Sequence, residues 1–248
     1  MNRKERNSPF NANYFSLGPY KRARISGWEK YFGKYFWARR FYASLIRRLT
    51  PKGGRILELG CGFGDLLKFL ERDYETVGTD ISKEAIAKAG KNLNNSRVLV
   101  LRAEELQILK PKFDTIVACH ILEHLKNPEE VIEKAASSLK KKGLFFIVVP
   151  DPSSIARRLK GDKWIGFSDK THISLFSPDK WISILKRNNF EIKKVYSDGL
   201  WDSPYLKYLP KFLEQLLFGL PAIMQTLSGR LFIPLNWGES AIIIAKRK

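Results

Sequence analysis

The chain has 248 residues, of which 44% are hydrophobic and 12% aromatic, enough for one α/β domain with insertions. Its 44 basic and 25 acidic side chains leave a net charge of +19. Two cysteines provide neither a disulfide framework nor the spacing of a metal finger, and we predict no metal site. Because no window reaches about 18 uninterrupted apolar residues, we predict no transmembrane helix and expect a cytoplasmic protein.

The positive charge is concentrated on the two flanks of the chain. Residues 1–50 carry 12 basic and 2 acidic side chains, residues 51–150 carry 16 and 14, and residues 151–248 carry 16 and 9. Partners that bear phosphate would therefore be attracted to the flanks and not to the middle of the chain. A solvated basic surface without a partner explains the same distribution equally well.

From about residue 55 onward, short apolar runs alternate with helical stretches. Strands are predicted at residues 55–59, 75–80, 97–102, 113–119, 144–149, 190–196 and 241–245. Helices are predicted over residues 65–72, 82–92, 127–143 and 177–188, with Ser82 and Asn127 as N-caps. Strands that alternate with helices predict an α/β fold with a mostly parallel, seven-stranded sheet.

The first predicted strand ends in a glycine-rich loop, Glu58-Leu-Gly-Cys-Gly-Phe-Gly64, and a helix follows it. Glycines permit a tight turn there and let a ligand approach the backbone without meeting a Cβ. Asp80 ends the second strand, 20 residues after Gly60, where its carboxylate can accept hydrogen bonds from ribose hydroxyls. These two strands therefore predict a nucleoside-binding unit.

The glycine spacing distinguishes between nucleosides. Gly60, Gly62 and Gly64 form a run one residue shorter than the dinucleotide fingerprint G-x-G-x-x-G, and the acidic Glu58 precedes it. This run resembles the first motif of class I S-adenosylmethionine-dependent methyltransferases, whose cofactor carries an amino-acid tail in place of a pyrophosphate. The resemblance implies a Rossmann-like, doubly wound fold, S-adenosyl-L-methionine as cofactor and S-adenosyl-L-homocysteine as product.

Three later segments extend this resemblance, and they point to the small-molecule branch of the family (methyltransferase type 11/23-like). Residues 102–106 are similar to the family's adenine segment, residues 119–125 to its post-strand motif, and residues 169–178 to a histidine-containing segment of this branch. The match covers roughly residues 53–197 and the final strand. It implies these cofactor-binding residues: Glu58, Gly60, Cys61, Gly62, Gly64, Asp80, Ile81, Ala103, Glu104, Cys119 and His120.

By this resemblance the three glycines wrap the methionine part of the cofactor, Asp80 binds the ribose and Glu104 lies on the adenine side. Other interpretations remain open for some of these positions. Gly64 permits close helix–strand packing, Glu104 suits a solvated charge at a helix start, and Glu58 suits orientation of the loop.

Three regions lie outside the alternation of strands and helices. We assign residues 1–50 to a basic, aromatic N-terminal cap or extension with helical character. Residues 51–248 form the methyltransferase domain, with insertions at about residues 151–176 and, between the last two strands, at about residues 200–240. All three regions are rich in aromatic residues and are candidates for the acceptor pocket.

A general base is needed only if the acceptor loses a proton as it reacts. The chain has three histidines, each in a segment near the carboxyl edge of the predicted sheet. We predict His172 as the first candidate for a catalytic base and His120 as the second, although His120 also suits a cofactor contact. His124 suits a backbone hydrogen bond. Further candidates are Asp151, Tyr20 and Tyr31.

Two absent motifs narrow the acceptor class. Residues 118–121 read Ala-Cys-His-Ile, where nucleic-acid amino methyltransferases carry an Asn/Asp-Pro-Pro-aromatic tetrapeptide. Neither Cys61 nor Cys119 follows a proline, as the nucleophile of cytosine-carbon methyltransferases typically does. Both classes are therefore disfavoured.

The residues that flank the cofactor motifs suggest which surfaces or partners the protein contacts. Residues 27–48 interleave aromatic and basic side chains, a pattern that suits an interfacial helix at an anionic surface, a nucleic-acid contact, or a cap over the cofactor with outward arginines. Residues 206–235 contain a leucine-rich stretch that suits a hydrophobic lid or a membrane contact.

These observations lead to one function and two alternatives. We predict a methyltransferase that acts on a small or lipid-linked acceptor, at oxygen, with peripheral contact to an anionic membrane at the inner membrane surface. The first alternative is an RNA methyltransferase guided by the basic flanks. The second is a non-catalytic, cofactor-binding interaction module.

Overall fold

The computed structural model describes Tyr14 and residues 34–202, 204–206 and 208–248. Within them lies a seven-stranded sheet of order β3-β2-β1-β4-β5-β7-β6, in which β7 alone runs antiparallel to its neighbours. The strands are β1 Arg55–Leu59, β2 Glu75–Asp80, β3 Arg97–Val100, β4 Phe113–Cys119, β5 Leu139–Pro150, β6 Phe190–Ser197 and β7 Ser240–Arg247. The predicted α/β, Rossmann-like and mostly parallel fold is confirmed.

Helices cover both faces of the sheet. The α-helices are α1 Lys34–Leu49, α2 Leu67–Leu70, α3 Lys83–Asn92, α4 Pro128–Ser138, α5 Ile155–Lys160, α6 Ile165–Ser168, α7 Pro178–Arg187, α8 Lys211–Glu214 and α9 Leu220–Ser228. Short 3-10 helices lie at Ala103–Ile108, Leu122–His124 and Gly161–Lys163, and a π-helical turn at Gln215–Gly219 joins α8 to α9. As predicted, Ser82 caps α3, accepting from the backbone N of Ala85 at 3.2 Å.

Two predicted helix ends differ from those observed. Helix α2 is shorter than predicted, because the glycine loop continues as turns up to its first residue. Helix α4 ends at Ser138, so the lysine-rich segment that we assigned to its end belongs to β5. There Leu139 pairs with Phe113, and the register then shifts so that Leu144 pairs with Thr115.

Helix α1 falls in the region that the sequence assigns to an N-terminal extension, and it packs directly on the sheet. Phe41, Tyr42 and Ile46 are at most 2% exposed and share a core with Phe146 of β5 and Ile242 of β7. Helices α4 and α7 bury their apolar residues against the opposite face. Helix α1 therefore forms one of the layers that cover the sheet.

The two predicted insertions pack against each other in a small core of their own, made of Ala156, Trp164, Leu200 and Tyr205. The buried Glu239 ties them together, because one carboxylate oxygen accepts from Trp164 Nε1 at 3.2 Å and the other from the Tyr205 hydroxyl. Since the first insertion follows the carboxyl end of β5, this small core lies beyond that edge of the sheet.

Asp198, directly after β6, joins the second insertion to β7. One carboxylate oxygen accepts from the backbone N of Glu239 at 3.1 Å and from that of Ser240 at 2.8 Å. Burial and, to a smaller extent, the nearby charge of Glu239 raise the pKa of this carboxyl to about 7, against the opposing effect of the hydrogen bonds. The folded protein therefore binds a proton here more tightly than the unfolded chain does.

We predict that Asp198 contributes stability that is fully present below its ordinary pKa of 3.8 and is lost as the pH rises through about 7. The neutral amide of Asp198→Asn keeps an acceptor oxygen and removes this dependence. Between about pH 5 and about pH 8, the melting temperature should therefore fall less in Asp198→Asn than in the wild type. Asp179→Asn, at an exposed position, serves as the matched control. An equal fall in wild type and Asp198→Asn would contradict the assignment.

Candidate active site

The three glycines of the loop after β1 have different structural roles. All three have positive φ: +64° at Gly60, +53° at Gly62 and +81° at Gly64. A Cβ at Gly60 would lie 2.7 Å from the side chain of Ile121, and one at Gly64 would lie 2.6 Å from Leu93. A Cβ at Gly62 would meet nothing within 4 Å. Gly60 and Gly64 thus permit close packing, whereas Gly62 faces open space that a ligand can occupy.

Asp80 holds this loop in place from the end of β2. It is 8% exposed, and one carboxylate oxygen accepts from the backbone N of Gly62 at 3.0 Å. The other oxygen accepts from the backbone N of Ser82 at 2.8 Å. Burial raises the pKa of this carboxyl, and the backbone N–H donors partly oppose that rise. Each oxygen has a second lone pair, so the same carboxylate can brace the loop and bind a ribose. Ile81, beside it, is 38% exposed.

The segment predicted on the adenine side begins beside Asp80, whose backbone O accepts from the backbone N of Leu101 at 3.0 Å. Ala103 is buried, and Glu104 is held from two directions. The Glu104 carboxylate lies 3.3 Å from Arg102 Nη2, and its backbone O accepts from Lys134 Nζ at 2.6 Å. The fold thus places the segment next to β2 and fixes its backbone.

The loop after β4 reaches the glycine loop from the other side. His120 has a positive φ of 55°, and its backbone N donates to Val148 O at 2.9 Å. Its side chain is 25% exposed, and Nδ1 lies 3.5 Å from Glu123 Oε1. Because the next residue, Ile121, packs on Gly60, His120 lies at the border of the predicted cofactor site.

Cys119 and Cys61, both predicted to contact the cofactor, are buried. Burial raises the pKa of both thiols well above the ordinary value, and the carboxylate of Glu58 raises it further. Protonated thiols of this kind pack as small apolar groups. Glu58 is itself 4% exposed at the end of β1.

Behind His120, the side chains of Glu123, His124 and His172 form a cluster. The imidazole centroids of His124 and His172 are 4.7 Å apart, and Glu123 is 1% exposed. Burial by itself raises the pKa of Glu123, but the three neighbouring imidazoles, those of His120, His124 and His172, outweigh it and lower that pKa. Burial lowers the pKa of His124. The cluster thus holds an ionised carboxylate among imidazoles.

Residues of the first insertion hold this cluster together. Asp169 is 3% exposed, and one of its carboxylate oxygens accepts from the backbone N of Thr171 at 2.9 Å and from its hydroxyl at 2.6 Å. The other oxygen accepts from the Tyr14 hydroxyl at 3.2 Å and lies 3.7 Å from His172 Nε2. Burial raises the pKa of Asp169, but the bonds from Thr171 and the charges of His172 and His124 lower it below its usual value.

The structure thus brings the predicted cofactor residues of four strand ends, those of β1, β2, β3 and β4, to one edge of the sheet. Of the predicted catalytic residues, His120 reaches this edge with an accessible ring, whereas the His172 side chain is 1% exposed within the cluster. Asp151 is fully buried and accepts from the backbone N of Ser153 at 2.8 Å. The catalytic assignments stay predictions, and those to Tyr20 and Tyr31 fall outside the described residues.

Sequence reasoning missed Glu123, Asp169 and Thr171. Glu123 stands next to His124 in the post-strand motif, and the other two stand just before His172. That proximity to histidine was the available signal. It carries no information about contact between the two segments, which only the fold brings together.

Comparisons with known proteins agree with this geometry. Residues 35–195 match a protein-family model described as a methyltransferase domain. Over 182 residues the chain is 26% identical to a ubiquinone biosynthesis O-methyltransferase of Pelagibacter ubique, an alignment that covers 66% of this chain and 76% of that protein.

Two further similarities concern a shorter alignment and a solved structure. A phosphatidylethanolamine N-methyltransferase of Cereibacter sphaeroides is 30% identical over 106 residues, or 40% of this chain and about half (52%) of that protein. The crystal structure of a SAM-dependent methyltransferase from Thermotoga maritima superposes with a TM-score of 0.62 at 21% identity, covering 89% of this chain and 94% of that one.

We predict that Gly62→Val abolishes binding of S-adenosylhomocysteine, because a branched side chain fills the open space in front of the loop. A ligand at about 100 times its dissociation constant stabilises a fold by about 2.7 kcal/mol, which a melting experiment detects. The wild type should show this shift with S-adenosylhomocysteine and none with NAD.

The matched control is Gly161→Val, because Gly161 has a φ of +54° and equally open surroundings but lies in the first insertion. The same backbone strain should then lower stability without removing the ligand-induced shift. Equal shifts in the two variants would place the ligand elsewhere.

Proposed function

The chain belongs to the methyltransferase domain family, and on that basis we propose that it transfers the methyl group of S-adenosylmethionine to an oxygen of a lipid-linked acceptor at an anionic membrane surface. One observation carries this proposal. The helical segment from Lys211 to Ser228 presents apolar side chains to solvent and polar side chains to the protein interior.

The inward side of this segment is polar and fully buried. The Glu214 carboxylate accepts from the backbone N of Tyr205 at 2.9 Å. Gln225 Oε1 accepts from the backbone N of Ile233 at 2.9 Å, and its Nε2 donates to Ser197 O at 2.9 Å. These side chains satisfy backbone groups of the insertion, so the helix keeps this orientation.

The outward side forms an apolar face, made of side chains that are at least 45% exposed: Phe212, Leu216, Leu217, Leu220, Met224 and Leu227. Their spacing of three to four residues places most of them on one side of the helix. Exposed apolar patches of this kind mark protein or membrane contacts, and amphipathic helices bury such a side at the boundary between headgroups and acyl chains. Among the described residues no helix combines the length and the apolarity that crossing a bilayer requires.

Basic side chains adjoin the apolar face. A groove of about 350 Å³ beside Gly229 has an apolar floor of leucines and Ile244 and is lined by Arg48, Lys194 and Arg230. Arg48 also donates to the last carbonyl of α9, that of Ser228, at 3.0 Å. Cations beside an apolar surface are the combination that attracts anionic lipid headgroups.

Two relatives support a lipid acceptor. Their names refer to ubiquinone biosynthesis and to phosphatidylethanolamine, and both compounds are lipids. The alternative of an RNA acceptor is supported by the basic flanks alone. The larger part of residues 1–33 lies outside the described residues. The membrane proposal therefore has the broader support.

The glycine loop and the Asp80 carboxylate fit S-adenosylmethionine, because Gly62 leaves room for a ligand and Asp80 offers acceptor lone pairs. When bound, the cofactor supplies a methyl group that its sulfonium charge already activates. The protein then has to hold the acceptor oxygen and the methyl group on one line, within about 3–3.5 Å. In our proposal His120, at the border of the cofactor site, accepts a hydrogen bond from the reacting hydroxyl, orients it, and takes up the proton that the hydroxyl loses as its oxygen bonds to the methyl group.

We predict that His120→Asn lowers the rate of labelled methyl transfer to a lipid extract by about 100-fold or more, the effect of losing a positioned general base. Asparagine tolerates the positive φ of this position, so the loop should keep its shape. The melting shift caused by S-adenosylhomocysteine should persist. An unchanged transfer rate would remove His120 from the acceptor side.

We also predict that the wild type binds vesicles of phosphatidylcholine with phosphatidylglycerol, and that binding weakens as salt screens the basic residues. Leu217→Gln should weaken this binding by about tenfold to 100-fold, because burial of a leucine contributes about 1.5–3 kcal/mol. Sedimentation of the protein with vesicles measures the effect.

Ile108→Gln is the matched control, since Ile108 is 62% exposed and Leu217 is 60% exposed, but Ile108 lies in a 3-10 helix outside the insertion. Equal effects of the two substitutions would contradict the proposal that the apolar face binds the membrane. Displacement of the protein from vesicles by structured RNA at matched phosphate concentration would favour the RNA alternative instead.

A further inference from the structure

The cluster behind His120 has the composition and geometry of a metal site. Glu123, His124 and His172 each offer one ligand atom, and these atoms lie within 4.8 Å of one another. We propose that this cluster binds a divalent transition-metal cation, and that Zn²⁺ suits its donors best. The inference does not depend on the lipid acceptor, and it departs from our expectation from sequence that the chain has no metal site.

The imidazole of His172 is oriented as a metal ligand requires. Its Nδ1 lies 2.9 Å from Gly166 O, and because a carbonyl only accepts, the proton is on Nδ1 and the lone pair on Nε2. The side chain is 1% exposed, and Nε2 forms no hydrogen bond with the described residues. A buried lone pair is thus directed into the cluster.

His124 is held in the same way. Its Nδ1 lies 3.2 Å from the backbone O of Thr171 and 2.9 Å from the hydroxyl of the same residue. The carbonyl again places the proton on Nδ1, so that Nε2 carries the lone pair. Metal-binding histidines almost always donate their second ring N–H to a carbonyl or a carboxylate, and here both do so to residues of the first insertion.

Glu123 supplies the anionic ligand. It is 1% exposed, and neither carboxylate oxygen accepts a hydrogen bond within the described part of the chain. Its backbone O accepts from the backbone N atoms of Ile173 and Ser174, both at 2.9 Å, which fixes the residue in place. The closest polar contact of its carboxylate among those described is the long one, 3.5 Å, between Oε1 and His120 Nδ1. A buried carboxylate with so little compensation is unfavourable, and a bound cation would stabilise it.

The charge around the cluster also favours a cation. Asp169 brings a second carboxylate, with one oxygen 3.7 Å from His172 Nε2. The carboxylates of Glu123 and Asp169 bring two acidic groups to the cluster, and a divalent ion would balance their negative charge. The hydroxyl of Tyr14 donates to this oxygen of Asp169 and holds it beside the cluster.

The donor set favours a transition metal such as Zn²⁺ or Fe²⁺ over Mg²⁺ and Ca²⁺. Two imidazoles and one carboxylate form the ligand set of zinc sites that keep a fourth position for an oxygen ligand, whereas Mg²⁺ and Ca²⁺ prefer oxygen donors alone. In a tetrahedral zinc site with bonds of about 2.0–2.2 Å, donors lie about 3.3 Å apart. Side-chain shifts of about 1 Å would therefore close the cluster around the ion.

The test is zinc titration of the full chain, freed of any affinity tag and treated with a chelator, by calorimetry. We expect one zinc ion per chain and a higher melting temperature with Zn²⁺ than with Mg²⁺. Glu123→Gln keeps the shape of the side chain, and it should weaken zinc binding by at least about tenfold. Glu133→Gln, at an exposed position of α4, is the matched control and should bind zinc like the wild type.

Two further measurements complete the test. Thr171→Val removes the hydroxyl beside His124 and should weaken zinc binding about 10- to 100-fold, as loss of an outer-shell partner does. Co²⁺ in place of Zn²⁺ should give the visible absorption of a tetrahedral ion without a thiolate band. A thiolate band, equal zinc affinity of Glu123→Gln and the wild type, or no zinc binding by the wild type would overturn the proposal.

Discussion

The carboxylate of Asp80 is the contact on which the cofactor side of this structure depends. It accepts from the backbone N of Gly62 and from that of Ser82, so one side chain fixes the glycine loop after β1 and the start of α3. The contact is possible because β1 and β2 are parallel neighbours whose carboxyl ends reach the same edge of the sheet. Without this contact, the backbone N of Gly62 would lose its carboxylate partner, and the middle of the loop would be less firmly held in the left-handed conformation that leaves open space in front of Gly62.

The loop after β4 connects the glycine loop to the first insertion. Ile121 packs on Gly60 at one end of the loop, and at the other end the backbone O of Glu123 accepts from Ile173 and Ser174. His120 lies between these two anchors. A displacement of the first insertion would therefore reach the cofactor loop through a short, hydrogen-bonded segment, which links the proposed metal cluster to the proposed acceptor side.

The helical segment from Lys211 to Ser228 in the second insertion differs from the other helices, because polar side chains on its inward side attach it to the domain. Buried polar side chains, Glu214 and Gln225 among them, satisfy backbone groups that an irregular segment leaves unpaired. The helix can then turn its leucines outward without losing its attachment to the domain. Exposure of those leucines in water is unfavourable, and a lipid surface removes that penalty.

The sequence alone determined the order of the seven strands along the chain, the four helices α2, α3, α4 and α7, and the choice of cofactor. Those features depend on local patterns, namely apolar runs, the N-cap at Ser82 and the spacing from Gly60 to Gly64. Only the tertiary structure decided that β7 runs antiparallel between β5 and β6, that α1 covers one face of the sheet, and which side of the helix around Leu217 meets solvent.

The same distinction explains why the sequence did not predict the proposed metal cluster. Glu123 and His124 are adjacent in sequence, but nothing in their surroundings indicates contact with the distant His172. Because a histidine near a strand end is a candidate base, the sequence analysis interpreted His172 as a base and not as a buried metal ligand. Whether an imidazole faces solvent or a carboxylate depends on contacts between segments far apart in the chain. Such contacts follow from how the insertions fold back onto the sheet, and no local pattern of residues encodes them.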